Sequence, residues 1–159
     1  MCATLYESIR SAYMKKIIIA IVLSVFLVAP VFSLTEATVA RVIDGDTIVL
    51  TSGERVRLIG VDAPEVGELG ADQATRFVRE RVEGQTVWLE ADGRDRDVHG
   101  RLRRYVWLRQ PTDARNASQI RLHQLNALLI SNGHARVVII GNVRNEALFR
   151  QLEQEAGRR

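Results

Sequence analysis

The stretch Thr38–Glu65, TVARVIDGDTIVLTSGERVRLIGVDAPE, carries short apolar runs whose ends are acidic. Asp44-Gly45-Asp46-Thr47 follows the first run. Asp62-Ala63-Pro64-Glu65 follows the third, with Arg57 in the strand leading to it. Carboxylates gathered beside strands of Val, Ile and Leu are costly unless something pairs with them. A hard metal ion and a phosphate would both do so.

Working outward, β-branched residues predict strands at 38–43, 47–50 and 55–61. Gly45 is expected to supply a positive φ at the first turn, and 51–54 makes the second. Three strands joined by tight turns form an antiparallel meander. From Gly70 to Val82 the period changes. Ala71, Ala74, Phe77, Val78 and Val82 recur at three and four, the core stripe of a helix, which Gly84 ends. Strands are then expected at 86–91 and 103–108, on either side of a polar loop at 92–100. A second loop is expected at 110–119. A helix follows at 122–131, with Leu125, Leu128 and Leu129 inward, then an extended run at 135–140. A last helix at 142–155 would bury Val143, Ala147, Leu148 and Leu152. Five short strands with a helix after the third predict an α+β fold: a five-stranded OB-type β-barrel with three helices.

Before this domain, assigned to residues 34–159, lies a leader at 1–33. Lys15-Lys16 precedes Ile17–Leu34, which has no charged residue. That is the pattern of a signal peptide, with cleavage expected after Ser33 or Ala37. Eighteen residues also reach the short end of a membrane anchor. The location expected is therefore secreted, or held in the cell envelope or periplasm, with membrane anchoring through residues 17–34 as the alternative. Met14 opens a compact leader, MKK, and is a candidate true start.

The chain of 159 residues has room for one ordinary domain plus this appendage. Cys2 is its only cysteine, which excludes an intramolecular disulfide. With three scattered histidines, the chain also lacks the ligand spacing usual for a closed structural zinc site. Of the net charge of +3, Arg10, Lys15 and Lys16 against Glu7 put +2 in the leader, leaving +1 for the rest. A basic surface must therefore come from how charge is distributed. All positive charge after Lys16 is arginine, which suits planar, bidentate phosphate contacts.

Hydrolysing a phosphodiester places charge on the non-bridging oxygens, and catalysis is mainly positioning and electrostatic stabilisation. Asp46 and Asp62 are candidate metal ligands from two strand ends. With a backbone carbonyl and waters they make an all-oxygen sphere suited to Ca2+. Glu65, beyond the stiffening Pro64, supplies a third carboxylate near the metal. Arg57 and Arg101 are candidate phosphate clamps. Arg57 and Asp62 are five residues apart, so a flat strand would put them on opposite faces. Both serve one site only if the strand breaks between them, and Gly60 is where a break is tolerated.

VIDGDT at 42–47, RLIGVDAPE at 57–65 and DVHGR at 97–101 resemble, in order and spacing, the staphylococcal nuclease (thermonuclease) family. Asn126-Ala127-Leu128-Leu129 with Gly133 and Ala135 is similar to that family's second-helix segment. The resemblance covers about residues 38–155. It implies the OB-type barrel and calcium-dependent cleavage of DNA and RNA, breaking the 5′ P–O bond and leaving 3′-phosphate ends. By position it implies that Asp46, Asp62 and the carbonyl of Ala63 hold the calcium. Arg57 and Arg101 would bind the scissile phosphate, and Glu65 would be the general base or water-orienting group.

The chain also departs from the family pattern. Ala63 stands where a threonine is familiar and His99 where a tyrosine is often seen. Val137–Ile140 lacks the tyrosines that contact the base in the best-known member. Stacking on such rings contributes about 1–3 kcal/mol per base, so an altered base preference is expected with the chemistry kept. Arg96, Arg103 and Arg104 read as backbone-steering charge or solvated surface. The protein is expected to act as a monomer on DNA and RNA. The alternative is a catalytically silent OB-type nucleic-acid-binding module, against which the complete acid–arginine set stands.

Overall fold

Five strands close on one another in the computed structural model, which describes residues 34–158. The leader at 1–33 lies outside the described residues. In chain order the strands are β1 (Leu34–Val42), β2 (Thr47–Leu50), β3 (Arg55–Leu58), β4 (Val61–Asp62), β5 (Thr86–Arg96), β6 (Leu102–Trp107) and β7 (Arg136–Val137). The barrel runs β1-β2-β3-β6-β5 and is closed by β5 pairing with β1. Within it, only β3 and β6 are parallel. β4 and β7 form a separate two-stranded ribbon. The helices are α1 (Ala71–Val82), α2 (Ala117–His123), α3 (Leu125–Ser131) and α4 (Glu146–Ala156).

This is the expected α+β barrel, with four helices among the described residues where three were expected. The expected helix at 122–131 is split because Gln124 is extended (φ −93°, ψ 117°) and bridges to Trp107. Asn116 starts α2 by accepting from the backbone N–H groups of Ser118 and Gln119, the usual way a capping side chain satisfies orphan donors. In α4 the core residues are Phe149 and Leu152, while Ala147 is exposed.

The barrel interior is filled by Val39, Ile48, Val56, Leu58, Val87 and Val106, all at most 2% exposed. The helices cover one end: Ala74, Val78 and Val82 of α1 and Leu125 and Leu129 of α3 are fully buried. A buried carboxylate, Glu90, is held by Trp107 Nε1 (2.9 Å) and Arg144 Nη2 (2.6 Å).

Two further differences bear on the site. β5 does not stop at Ala91 but runs on to Arg96, so most of the expected loop at 92–100 is strand. Its register against β6 shifts between Ala91 and Arg96, a bulge on the arm where β5 meets the start of β6. This arm is cross-linked by charge: Arg96 to Glu54 at 2.8 Å and Arg104 to Asp95 at 2.6 Å. The third expected strand is broken at Ile59-Gly60 into β3 and β4, with Gly60 at φ 77°.

Candidate active site

The break at Gly60 turns Arg57 and Asp62 toward one another. Arg57 Nη2 reaches Asp62 Oδ1 at 2.8 Å, and its Nη1 reaches Asp46 Oδ2 at 2.8 Å. Arg57 Nη1 also donates to the carbonyl of Val61, inside the turned segment, at 2.8 Å. Buried Asn126 of α3 fixes the turn from beneath, donating to the carbonyl of Ile59 (2.8 Å) and accepting from Val106 N–H (3.0 Å). Asn126 was quoted in the sequence only as part of a helix segment. Its role as a clamp depends on long-range contacts that spacing does not reveal.

Asp46 is shut in. It is 6% exposed and accepts from Thr47 Oγ1 (3.0 Å), from Ala63 N–H (2.8 Å) and from Arg57. Burial pushes its carboxyl up to about 6, against the lowering pull of Arg57 and of the Ala63 N–H. Asp62 is open, its side chain 50% exposed, so the pair meets solvent on the Asp62 side.

Gly45 allows this corner to close, but not through a positive φ as the sequence suggested. Its φ is not positive. What Gly45 supplies is room: a Cβ there would stand 2.5 Å from Ala63 Cβ and 2.8 Å from Ala74 Cβ. Small residues at all three positions let α1 pack against the DGDT turn.

Arg101 sits at the start of β6 and lines the same groove as Arg57, a cleft of about 560 Å³. A short turn orients it. Asp97 Oδ1 accepts from the N–H groups of His99 (2.9 Å) and Arg101 (3.0 Å), and Asp97 Oδ2 from Arg101 Nε at 2.6 Å. Nη1 and Nη2 of Arg101 have no partner among the described residues. Glu65 is exposed on the loop after Pro64. Its N–H donates to Glu68 Oε2 (2.9 Å), and its carboxylate has no partner among the described residues. Arg57 thus contacts both Asp46 and Asp62, Ala63 N–H is held by Asp46, and Arg57 lines the groove that Arg101 also lines, whereas Asp62 and Ala63 line a second groove. Glu65 borders neither groove.

The donors at this corner are those of a hard cation. Two carboxylates converge on one positive group, one of them desolvated, with no thiol or imidazole in the set. Among the described residues, no group of three or more His, Cys, Asp or Glu side chains is placed to hold a metal. An ion here would therefore complete its sphere with backbone carbonyl and water. Two further arginines line the groove that holds Arg57 and Arg101: Arg94, which no sequence motif marks, and Arg103, which the sequence alone presents as solvated or backbone-steering charge.

Residues 55–159 match the family described as Staphylococcal nuclease homologue. The thermonuclease of Staphylococcus intermedius is 43% identical over 79 residues, 44% of this chain and 47% of that protein. The thermonuclease of Staphylococcus hyicus is 38% identical over 79 residues, with the same 44% and 47% shares. Protein ParB of Escherichia coli is 34% identical over 114 residues, 66% of this chain and 63% of that protein. The chain spans about half the length of the two thermonucleases. Because the match runs from β3 to the end of the chain, well over half of its length, the chain belongs to the staphylococcal nuclease homologue family, a family of nucleases.

Proposed function

We propose that the protein is a calcium-dependent nuclease that hydrolyses phosphodiester bonds of DNA and RNA, leaving 3′-phosphate ends. The observation that carries this reading is the bridge Arg57 makes between Asp46 and Asp62 at the edge of a groove it shares with Arg101.

In this reading Asp46, Asp62 and the carbonyl of Ala63 hold the calcium. When bound, the ion supplies Lewis-acid stabilisation to a phosphate oxygen and to bound water. Arg57 and Arg101 take the non-bridging oxygens of the scissile phosphate through paired N–H donors. Glu65 orients the attacking water and receives its proton. Its exposed position after Pro64 leaves it able to reach substrate rather than being tied to a neighbour. The 5′ P–O bond breaks as the new P–O bond forms in line with it; the departing 5′-oxygen takes a proton from solvent to become a hydroxyl, and the phosphate stays on the 3′ side. The leader reading assigns the enzyme to the outside of the cell or to its envelope, and we take it to act as a monomer.

The test incubates the full chain with single- and double-stranded DNA and RNA, first with Ca2+ and then with a chelator. Cleavage with calcium that stops on chelation is expected. Binding without cleavage under every condition would favour the silent binding module instead.

A further inference from the structure

We infer that Arg94 and Arg103 form a second phosphate position beside Arg57 and Arg101, so that the groove takes consecutive phosphates of one single strand. This rests on the nuclease reading of the groove. It adds the residues that favour a polymeric strand over an isolated phosphodiester.

The segment from Arg94 to Arg104 carries five arginines: 94, 96, 101, 103 and 104. Three have acidic partners: Arg96 on Glu54, Arg101 on Asp97 and Arg104 on Asp95. Arg94 and Arg103 have no acidic partner among the described residues. Arg103 donates only to the carbonyl of Ile140, through Nη2 at 3.0 Å. Arg96 and Arg104, neutralised by acids, lie outside the groove lining, whereas Arg94 and Arg103 lie within it.

The backbone accounts for this placement. Arg57 and Arg103 are register partners in the parallel pair β3–β6. Adjacent strands are about 4.8 Å apart, so the two arginines stand one strand spacing from each other, on the same face of the sheet. Like charges side by side repel. Asp46 and Asp62 compensate Arg57, and nothing comparable compensates Arg103. Arg94 comes from the bulge of β5, where residues 92–95 stand opposite Arg103 alone. Gly93, at φ 69°, permits that irregular path, and bulges re-aim side chains in this way.

The groove also presents apolar side chains, Val98 (85% exposed), Ile140 (68%) and Val138. Its one carboxylate, Asp97, is already held by Arg101. Unneutralised arginines and exposed apolar side chains in one groove match a strand that offers both phosphates and bases.

The test measures kcat/KM of the full chain on a single-stranded oligonucleotide, with Ca2+, as monovalent salt is raised. For single strands, log affinity falls with log salt by about 0.7 per phosphate contact. Arg94→Gln/Arg103→Gln removes the second phosphate position and is therefore expected to flatten the slope by about 0.7 and to raise KM by about tenfold or more. Arg94→Lys/Arg103→Lys keeps the charge and is expected to keep the slope. Arg96→Gln, whose arginine is already held by Glu54, is also expected to keep it. A Gln pair with the wild-type slope, or equal flattening by Arg96→Gln, overturns the second phosphate position while leaving the nuclease reading in place. A wild-type chain that cuts no nucleic acid overturns both.

Discussion

Gly60 lies against the ring of Phe149: a Cβ on Gly60 would stand 2.8 Å from Phe149 Cε2. The same residue holds φ at 77°, a region that side-chain-bearing residues rarely adopt. Gly60→Ala meets both penalties at once. It is expected to cost about 2–5 kcal/mol, combining the left-handed backbone with an overpacked core. Urea denaturation should report this as a lower midpoint at unchanged slope. A variant as stable as the wild type would mean the turn and helix α4 can move apart freely.

Asn126 joins three elements from a position with no solvent exposure. Asn126→Ala would leave the carbonyl of Ile59 and the N–H of Val106 buried without their present partner. The expected loss is about 2–6 kcal/mol, from two unpaired buried groups at roughly 1–3 each. Because Ile59 belongs to the turn between Arg57 and Asp62, kcat should also fall when measured below the melting temperature. Unchanged stability and turnover would remove Asn126 from the support of the site.

Glu65 offers a cleaner separation of chemistry from folding, since its exposed carboxylate holds nothing in place. Glu65→Gln is expected to lower kcat by about 10²–10⁴-fold, the range for loss of a general base. Its urea midpoint should stay at the wild-type value. Arg101→Gln should likewise lower turnover, with KM rising as a phosphate contact is lost. Near-wild-type turnover in both would move the chemistry to another part of the surface.

His134 gives the fold a pH dependence of definite sign. Its ring sits 4.5 Å from that of Phe77, and burial, followed by the charge of Arg81, lowers its pKa. The unfolded chain therefore binds this proton more readily than the folded one. Its contribution to stability is fully present above the unfolded value, about 6.5. It is lost as pH falls through the window between that value and the lower folded one. The urea midpoint of the wild type is expected to decline across that window more steeply than that of His134→Gln. Parallel declines would show that His134 does not contribute.

The parts of this molecule legible in the sequence are those set by local pattern. Short runs rich in β-branched and apolar residues marked β2 and β3, the three–four stripe of Ala71, Ala74, Phe77, Val78 and Val82 marked α1, and the spacing of Arg57 and Asp62 demanded a break that Gly60 supplies. What escaped depends on partners distant in the chain. The outer half of β5 carries no apolar alternation and is held by cross-strand ion pairs, so it reads as a loop. Gln124 is pulled out of helix by its bridge to Trp107. Gly45 resembles a turn glycine, and only the approach of Ala63 and Ala74 reveals that it is there for space. Within the run of arginines, composition cannot tell which are neutralised. Pairing in the fold makes Arg96 and Arg104 structural and leaves Arg94 and Arg103 facing the groove.

Arg57 touches Asp46 and Asp62 and borders the groove, so one substitution there reports on the whole site. The decisive measurement is the rate of calcium-dependent cleavage of single-stranded DNA by Arg57→Gln in the full chain, at a temperature where circular dichroism finds it folded. A fall in kcat/KM of about 10²–10³-fold is predicted, as for loss of a preorganised donor to developing charge. Cleavage at the wild-type rate would contradict the assignment of this corner as the active site.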